Sequence, residues 1–464
     1  MNLLLNRTTV ATVPERPVRI LQFGEGNFLR GFVDWMIDIL NEKTDFNGDV
    51  QMVQPIPKGM GEAINGQEGL YHVLLEGMDQ GKNVQSTRLI TSVRGVLDPY
   101  QDLEGFLRLA ENPHLEFIVS NTTEAGIFFD ENDTAPSALP NSFPGKLTLF
   151  LNHRFHYFKG NPPTQLTVLP CELIDRNGER LLDCILQYSE NWALSEAFKK
   201  WISKTVVFCN TLVDRIVPGF PKEFIHDIQN SMGYTDTLVV KAEPFHLWVI
   251  EGPVEVQERL PFDKAGLNVV FTDNLTPYRT RKVQILNGAH TTMVPVAYLN
   301  GFTEVREVME DEKMGTFLKE IIFNEIMPTL DMPQTELEIY ANTVLDRFRN
   351  PFIRHKLLDI ALNSVSKFRV RVLPSILHYM ERHKKVPKGL ATAFAYLLVF
   401  HRNPQNIAIK DDSTTLSFFK TVWKTGNTEL AVHKILSNKA LWGMDLTQKE
   451  PLSDFIKQHV KSLI

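Results

Sequence analysis

The apolar positions of the first half of the chain fall into short unbroken runs separated by amphipathic stretches. Val18-Arg19-Ile20-Leu21-Gln22-Phe23 predicts a strand. The glycine-bearing segment Gly24-Glu25-Gly26-Asn27-Phe28-Leu29-Arg30-Gly31 follows, with a helix over 28–40 that places Phe32, Trp35, Met36, Ile39 and Leu40 at helical spacing. Further strands are predicted at 50–53, 87–96, 115–120, 166–171, 206–209, 238–240, 245–251 and 267–271, and helices at 100–110, 147–158, 179–188 and 192–201. This alternation predicts an α/β, Rossmann-type domain with a mostly parallel, doubly wound sheet over residues 1–275. From about Thr276 the strand-like runs stop. Helical periodicity takes over at 281–294, 315–326, 335–347, 354–361, 370–382, 390–401, 416–423, 429–436 and 452–464, predicting a mainly α-helical C-terminal domain over 276–464.

Composition narrows the class of protein. A chain of 464 residues is long enough for two or three domains. The net charge of -6, with no long basic run, argues against nucleic acid or an anionic membrane as partner. Cys171, Cys184 and Cys209 lack metal-type spacing and read as free thiols in a reducing compartment. There is no 18-residue apolar run, and MNLLLNRTTV is too short an apolar segment for a signal peptide, so a cytoplasmic protein is expected. The scattered histidines offer no zinc set.

Candidate chemistry begins at the first strand. Strand, glycine turn and helix form the first half of a dinucleotide site, in which glycines let the backbone approach a pyrophosphate at a helix N-terminus. The alternative is a plain tight turn, because Leu29 stands where a third glycine is usual and the next glycine is Gly31. The second strand ends in Gln54-Pro55, where an acid commonly holds the ribose of NAD, and Lys58 nearby is a single cation. The residues alone leave NAD and NADP open. Asn121-Thr122-Thr123-Glu124 follows the strand at 115–120 and falls at the carboxyl edge of the sheet, where ligands bind; the other reading is a solvated turn. Cofactor contacts are therefore expected at Phe23, Gly24, Gly26, Asn27, Phe28, Asn121, Thr122 and Glu124. Asn210 is expected at the carboxyl end of the 206–209 strand, facing a substrate or capping a turn.

The helical half opens on RKVQILNGAH at 281–290. Lys282, Asn287 and His290 lie among Val283, Ile285, Leu286 and Ala289 and span roughly 140° of an α-helix. An ammonium among apolar neighbours costs free energy and is kept most often where it does chemistry. Lys282 can act as general acid towards a carbonyl oxygen and as base in reverse. Asn287 and Asn210 can donate to the developing alkoxide, and His290 can hold a neighbouring hydroxyl. The bland alternative is a lysine reaching solvent beside a core histidine.

The Lys282, Asn287, His290 pattern resembles that of the polyol-specific long-chain dehydrogenases, the mannitol dehydrogenase family. FGEGNFLRGFVDW near the N-terminus, SNTTEAGI at 120–127, FCNTLVDRIVPG at 208–219 and EPFHLWVIEG at 243–252 extend the likeness over nearly the whole chain. PCELIDRNG at 170–178 and NPFIRHKLLDIALNSVSKFRVRVLP at 350–374 look most like the family's uronate-reducing branch. The resemblance implies an NAD-linked interconversion of a keto-uronate and its alcohol (tagaturonate and altronate), NADP being the alternative cofactor. It implies Lys282 as acid/base, Asn210 and Asn287 as oxyanion partners and His290 as a substrate ligand. Fructuronate, or a ketose or polyol such as mannitol, is the alternative substrate, and a nucleotide-binding protein without activity the alternative class. A uronate carboxylate needs a cation; Lys367 or Arg369 is the expected ligand, with His355 upstream in the same set. The sequence leaves the oligomeric state open.

Overall fold

The computed structural model describes residues 3–10, 13–123, 125–134, 138–402 and 409–464. The chain divides into two compact units, one of Met1–Glu76 with Val84–Leu275, the other of Gly77–Asn83 with Thr276–Ile464.

The first unit is built on a six-stranded parallel sheet. Its strands are β1 (Val18–Phe23), β2 (Asp49–Val53), β3 (Val93–Leu97), β4 (Phe117–Ser120), β5 (Thr167–Pro170) and β6 (Val207–Phe208), in the order β3-β2-β1-β4-β5-β6. The order reverses at β1, so a crevice opens at the carboxyl ends of β1 and β4, where open α/β sheets bind ligands. The strands read as apolar runs because both faces are covered. Ile20, Met52 and Val119 point into one core, and Leu21, Phe23, Val53 and Ile118 into the other.

Two three-stranded sheets complete the unit. One pairs Tyr71–Asp79 with Val240–Ala242 and Lys82–Ile90; the other pairs Leu247–Glu251 with Val269–Thr272 and Asn210–Asp214. The strand expected over 87–96 is thus two strands in different sheets, broken at Thr91-Ser92, and Tyr71–Asp79 is a strand without a sequence expectation. The helix expected over 28–40 is also two pieces, α1 (Asn27–Arg30) and α2 (Val33–Lys43). The break falls at Gly31, whose carbonyl accepts from the buried Arg215 guanidinium at 2.9 Å and whose α-carbon faces Val217 and Val240. In the core on the other face of the sheet pack α3 (Leu103–Leu109), α4 (Phe143–Tyr157), α5 (Asn177–Asn191) and α6 (Glu196–Lys204).

The second unit is helical, apart from the strand ends within Gly77–Asn83 and an isolated bridge between Glu304 and Lys356. It begins with α7 (Thr276–Arg281), passes into a π turn at Lys282–Asn287, and resumes as α8 (Gly288–Leu299). Every residue of α8 from Gly288 to Ala297 is buried. A helix apolar on all sides belongs in the middle of a bundle, and α8 is enclosed by α10 (Ser364–Arg371) and α11 (Lys388–Phe400), with α12 (Glu450–Leu463) behind α11. Between α8 and α10 in sequence lies α9 (Gln334–Phe348), alongside the π turn. A second π turn occupies Ile321–Ile326 and runs into a 3-10 turn at Met327–Thr329. Among the described residues, no helix is long and apolar enough to cross a membrane.

Candidate active site

In the first unit the site grows from the turn after β1. Gly24 has φ +118°, and a Cβ there would sit 3.1 Å from the Asn121 carbonyl oxygen, so any side chain would both strain the backbone and push β1 from β4. The turn is tied to both neighbouring strands, Gly24 N donating to the Val53 carbonyl at 3.2 Å and Asn121 N to the Phe23 carbonyl at 3.2 Å. Gly26 precedes α1; no side chain caps that helix start, and a Cβ on Gly26 would meet nothing within 4 Å. An uncapped helix start beside open space at a sheet's switch point fits a dinucleotide's diphosphate.

Other expected cofactor residues do structural work. Phe23 packs its ring on Phe106 and Phe143 at 6.1 and 5.0 Å, and so offers the turn only its backbone. Phe28 stacks on Phe32 at 5.0 Å. Asn27 Oδ1 accepts from Arg30 at 2.8 Å. Arg30 itself was not a sequence candidate. Buried over Tyr71, it also donates to the Glu25 and Leu238 carbonyls at 3.0 and 2.7 Å and so braces the turn from beneath. Deeper still, the Gln22 amide donates to the Gly24 carbonyl at 3.0 Å and to Asp34 at 3.3 Å. Asp34 is fully buried, and that burial pushes its carboxyl up to about 7.

The motifs at the carboxyl edge are knit together. Glu172 accepts from the Ser120 hydroxyl at 3.0 Å and from the backbone N–H and hydroxyl of Thr122 at 3.0 and 3.1 Å, which fixes the turn after β4. Burial raises the Glu172 carboxyl above the usual range. Asn121 Nδ2 lies 3.4 Å from the Cys171 carbonyl. Glu124 lies outside the described residues. Asn210 begins the Asn210–Asp214 strand rather than ending β6, because the chain leaves the parallel sheet after Phe208. Its amide donates to Glu251 at 2.8 Å and Glu179 at 3.3 Å, and its oxygen accepts from Glu179 N at 3.2 Å.

Beside the ends of β2 and β3 is a cavity of about 930 Å³, lined in part by Gln54, Lys58, Glu62, Arg94, Asp98 and Asp102. Gln54 turns back on its own loop, donating to the Ile56 carbonyl at 3.0 Å. Arg94 is bound to Asp49 at 2.8 Å.

In the second unit the decisive feature is the π turn. In an α-helix, residues five apart diverge by about 140°. In the i→i+5 register of a π turn they are one turn apart and share a face. Lys282 and Asn287 are the first and last residues of that turn, and His290 follows Asn287 by three residues of α-helix. The three candidates therefore converge more closely than α-helical spacing allows. Lys282 is half-buried rather than sunk in the core, as is Asn287; His290 is buried. The His290 ring stacks on Phe348 of α9 at 4.2 Å and meets His355 edge-on at 5.0 Å. Burial pulls the His355 imidazole below the usual histidine range. Phe348, on which the His290 ring rests, stands out only in the structure, since an aromatic at helical spacing reads as core.

The two expected cations lie on α10. Lys367 Nζ donates to the Ile360 carbonyl at 3.0 Å, half-buried, and burial with Arg371 beside it pulls its ammonium below the usual lysine range. Arg369 is exposed, 3.3 Å from the Ala440 carbonyl and folded over Gly443. Among the described residues no group of three metal-ligating side chains is present.

Comparison with known proteins agrees over both units. The family model described as the mannitol dehydrogenase Rossmann domain matches residues 18–264, and that of the mannitol dehydrogenase C-terminal domain matches 274–464. The chain belongs to the mannitol dehydrogenase family. Membership makes it an oxidoreductase of the dehydrogenase type, with a Rossmann domain of the kind that binds a nicotinamide cofactor. Among this family's members, altronate oxidoreductase of Phocaeicola vulgatus is 45% identical over 464 residues, covering 99% of this chain and 97% of that one. Altronate oxidoreductase of Bacillus subtilis is 45% identical over 461 residues, covering 99% and 95%. Of solved structures, a substrate-free D-sorbitol dehydrogenase superposes with TM-score 0.81 at 23% identity, covering 99% of this chain and 98% of its own. Mannitol 2-dehydrogenase of Pseudomonas fluorescens, in complex with NAD and D-mannitol, superposes with TM-score 0.70 at 20% identity, covering 99% and 97%. These two mannitol dehydrogenase-family folds match the architecture of both units.

Proposed function

We propose that this chain reduces D-tagaturonate to D-altronate with NADH and runs the reverse oxidation with NAD. The reaction type is carried by one observation, the π turn that sets Lys282 and Asn287 on a common face with His290 a turn further on. The choice of sugar is supported by full-length relatives named altronate oxidoreductase at 43–45% identity.

The residues of the turn after β1 would hold the cofactor, with Gly24 and Gly26 giving its diphosphate access and Asn121 and Thr122 bordering the crevice. Bound NADH supplies the hydride. Lys282 gives its proton to the ketone oxygen as that oxygen gains charge, and takes one back in the oxidation. Asn287 turns its amide N–H to the same oxygen. His290, flat against Phe348, has its ring plane set to hydrogen-bond an adjacent hydroxyl. The family resemblance also assigns Asn210 an oxyanion role; its amide is held by Glu251 at 2.8 Å and, more loosely, by Glu179 at 3.3 Å.

NAD is proposed over NADP on the charge of the cavity beside β2. Glu62, Asp98 and Asp102 face Lys58 there, and Arg94 is committed to Asp49, so a 2′-phosphate would meet mostly carboxylates. We expect kcat/KM with NADH to exceed that with NADPH at least tenfold, about 1.4 kcal/mol; equal values would refute the charge argument.

Of the two cations on α10, Lys367 is proposed as the carboxylate ligand together with His355, because Arg369 is exposed and anchored on Ala440. Lys367→Met should raise KM for the uronate by roughly 10- to 100-fold, the worth of one charge-assisted hydrogen bond, and spare uncharged ketoses. Arg369→Met should change little. An unaltered uronate KM in Lys367→Met would remove that residue from the site. The substrate itself is tested by initial rates of NADH consumption with D-tagaturonate, D-fructuronate and D-fructose in parallel. Tagaturonate should be preferred, and a preference for either of the others would move the assignment within the family.

A further inference from the structure

Among the described residues the second unit contains two π turns, and they pack against each other. Thr329 stands between them. Its hydroxyl donates its one proton between two acceptors, the carbonyl of Ile326, the last residue of the second π turn, at 2.6 Å and the side-chain oxygen of Gln284 at 3.2 Å. Gln284 is the middle of the first π turn, between Lys282 and Asn287. Thr329 and Gln284 are only 4% and 5% exposed, so the bond is made out of reach of water. A buried polar pair contributes little net stability over apolar groups of the same shape, and leaving either partner alone is costly. Such a pair fixes geometry more than it adds stability.

A π turn is one residue wider than the α-helix it interrupts, and its relaxed alternative is the α register. The far end of the first turn is already held. A Cβ on Gly288 would come 3.1 Å from the Arg371 carbonyl oxygen, so α10 abuts the helix there, and the Thr291 hydroxyl bonds the Asn287 carbonyl at 2.8 Å. Gln284 is held from the opposite side, by Thr329. We propose that Thr329 and Gln284 are positioning residues: their hydrogen bond locks the first π turn in its i→i+5 register and so keeps Lys282 and Asn287 on one face for the proton transfer. Without it the turn can slip towards the α register, in which the two side chains diverge by about 140°. This inference rests on the assignment of Lys282 as the proton donor.

Three variants test it. Thr329→Val deletes the hydroxyl, Thr329→Ser keeps it, and Gln284→Met removes the amide. Thr329→Val and Gln284→Met should lose kcat by on the order of 10- to 100-fold, the cost of a misplaced reacting group, with NADH affinity by fluorescence titration unchanged, and Thr329→Ser should restore kcat. The limb of the pH–kcat/KM profile that belongs to Lys282 should move in Thr329→Val and return in Thr329→Ser. Wild-type kcat and pH profile in Thr329→Val would overturn the proposal, as would a Thr329→Ser variant equally impaired. Precipitation of both Thr329→Val and Gln284→Met would also overturn it, because the bond would then be a folding requirement. A readout without turnover separates this from the substrate assignment. Reductive 13C-methylation, with the Lys282 signal identified by its loss in Lys282→Arg, follows that amine's titration by NMR. If wild type reduces none of the three sugars, the functional assignment fails, while a Lys282 titration that shifts in Thr329→Val and not in Thr329→Ser still upholds the positioning role; no shift refutes it.

Discussion

Replacing Lys282 by alanine should lower kcat for keto-uronate reduction by about 100- to 10,000-fold, the span that a positioned proton donor contributes. As hydride arrives, the ketone oxygen becomes an alkoxide, which needs a proton or a fixed positive charge at once. Lys282 is half-buried at the head of the π turn, with Asn287 one turn away. Without its ammonium the oxygen retains only amide donors and water. NADH affinity should be unaffected, because the residues proposed to hold the diphosphate, Gly24 and Gly26, belong to the other unit. Lys282→Arg should be nearly as inactive as the alanine variant, since a guanidinium keeps its proton above pH 12 and cannot cycle it. The checks are steady-state kcat and KM for both variants and NADH titration by fluorescence quenching. Substantial turnover in Lys282→Ala would exclude the lysine from proton transfer.

The second large effect concerns stability. Asp34 lies in the core beneath the cofactor turn, its Oδ2 accepting from Tyr71 at 2.9 Å and from Gln22 at 3.3 Å, with Arg30 and Asp38 as its charged neighbours. Burial holds its carboxyl at about 7 against an ordinary value of 3.8. The folded state therefore keeps a proton that the unfolded chain releases. Its favourable contribution is complete below about pH 4, and it is lost as pH rises towards and through 7. Each pH unit inside that window costs at most about 1.4 kcal/mol, so the whole window is worth up to ~4 kcal/mol. Asp34→Asn removes this slope and keeps the shape. We expect denaturant titrations at pH 5 and pH 8 to show wild type losing more stability than Asp34→Asn across that interval, by roughly 2 kcal/mol or more. Parallel pH dependences in the two proteins would show that Asp34 is ionised throughout.

Much of this architecture is legible in the sequence, for physical reasons that can be named. Strands β1, β2, β4 and β5 are apolar on both faces, and only doubly covered parallel strands read as unbroken apolar runs. The glycine turn is visible because Gly24 adopts a conformation that other residues avoid. The Tyr71–Asp79 strand was missed because the run of buried residues from Tyr71 to Leu75 sits in a small sheet, with no helix alternation to announce it.

Hydrophobic periodicity also has no way to signal one extra residue inside a helix. Val283, Ile285, Leu286 and Ala289 suit either register, so the π turn at Lys282–Asn287, which brings the candidate residues together, could not be read. Side-chain partners set by tertiary packing were equally hidden. That Arg369 would close on Ala440, that His290 would lie on Phe348, and that Asn210 would bind Glu251 depend on chain crossings far apart in sequence. The motifs PCELIDRNG and SNTTEAGI looked like separate signatures. In the structure Glu172 of the first holds Ser120 and Thr122 of the second, so they are two sides of one buried carboxylate site.

The proposed reaction delivers a hydride to the ketone of a uronate. It is tested most directly by incubating the protein with D-tagaturonate and NADH deuterated at the transferable position, then analysing the product by mass spectrometry and NMR. The expected product is D-altronate carrying the deuterium on the carbon that was the ketone. No altronate, or altronate without the label, would contradict it.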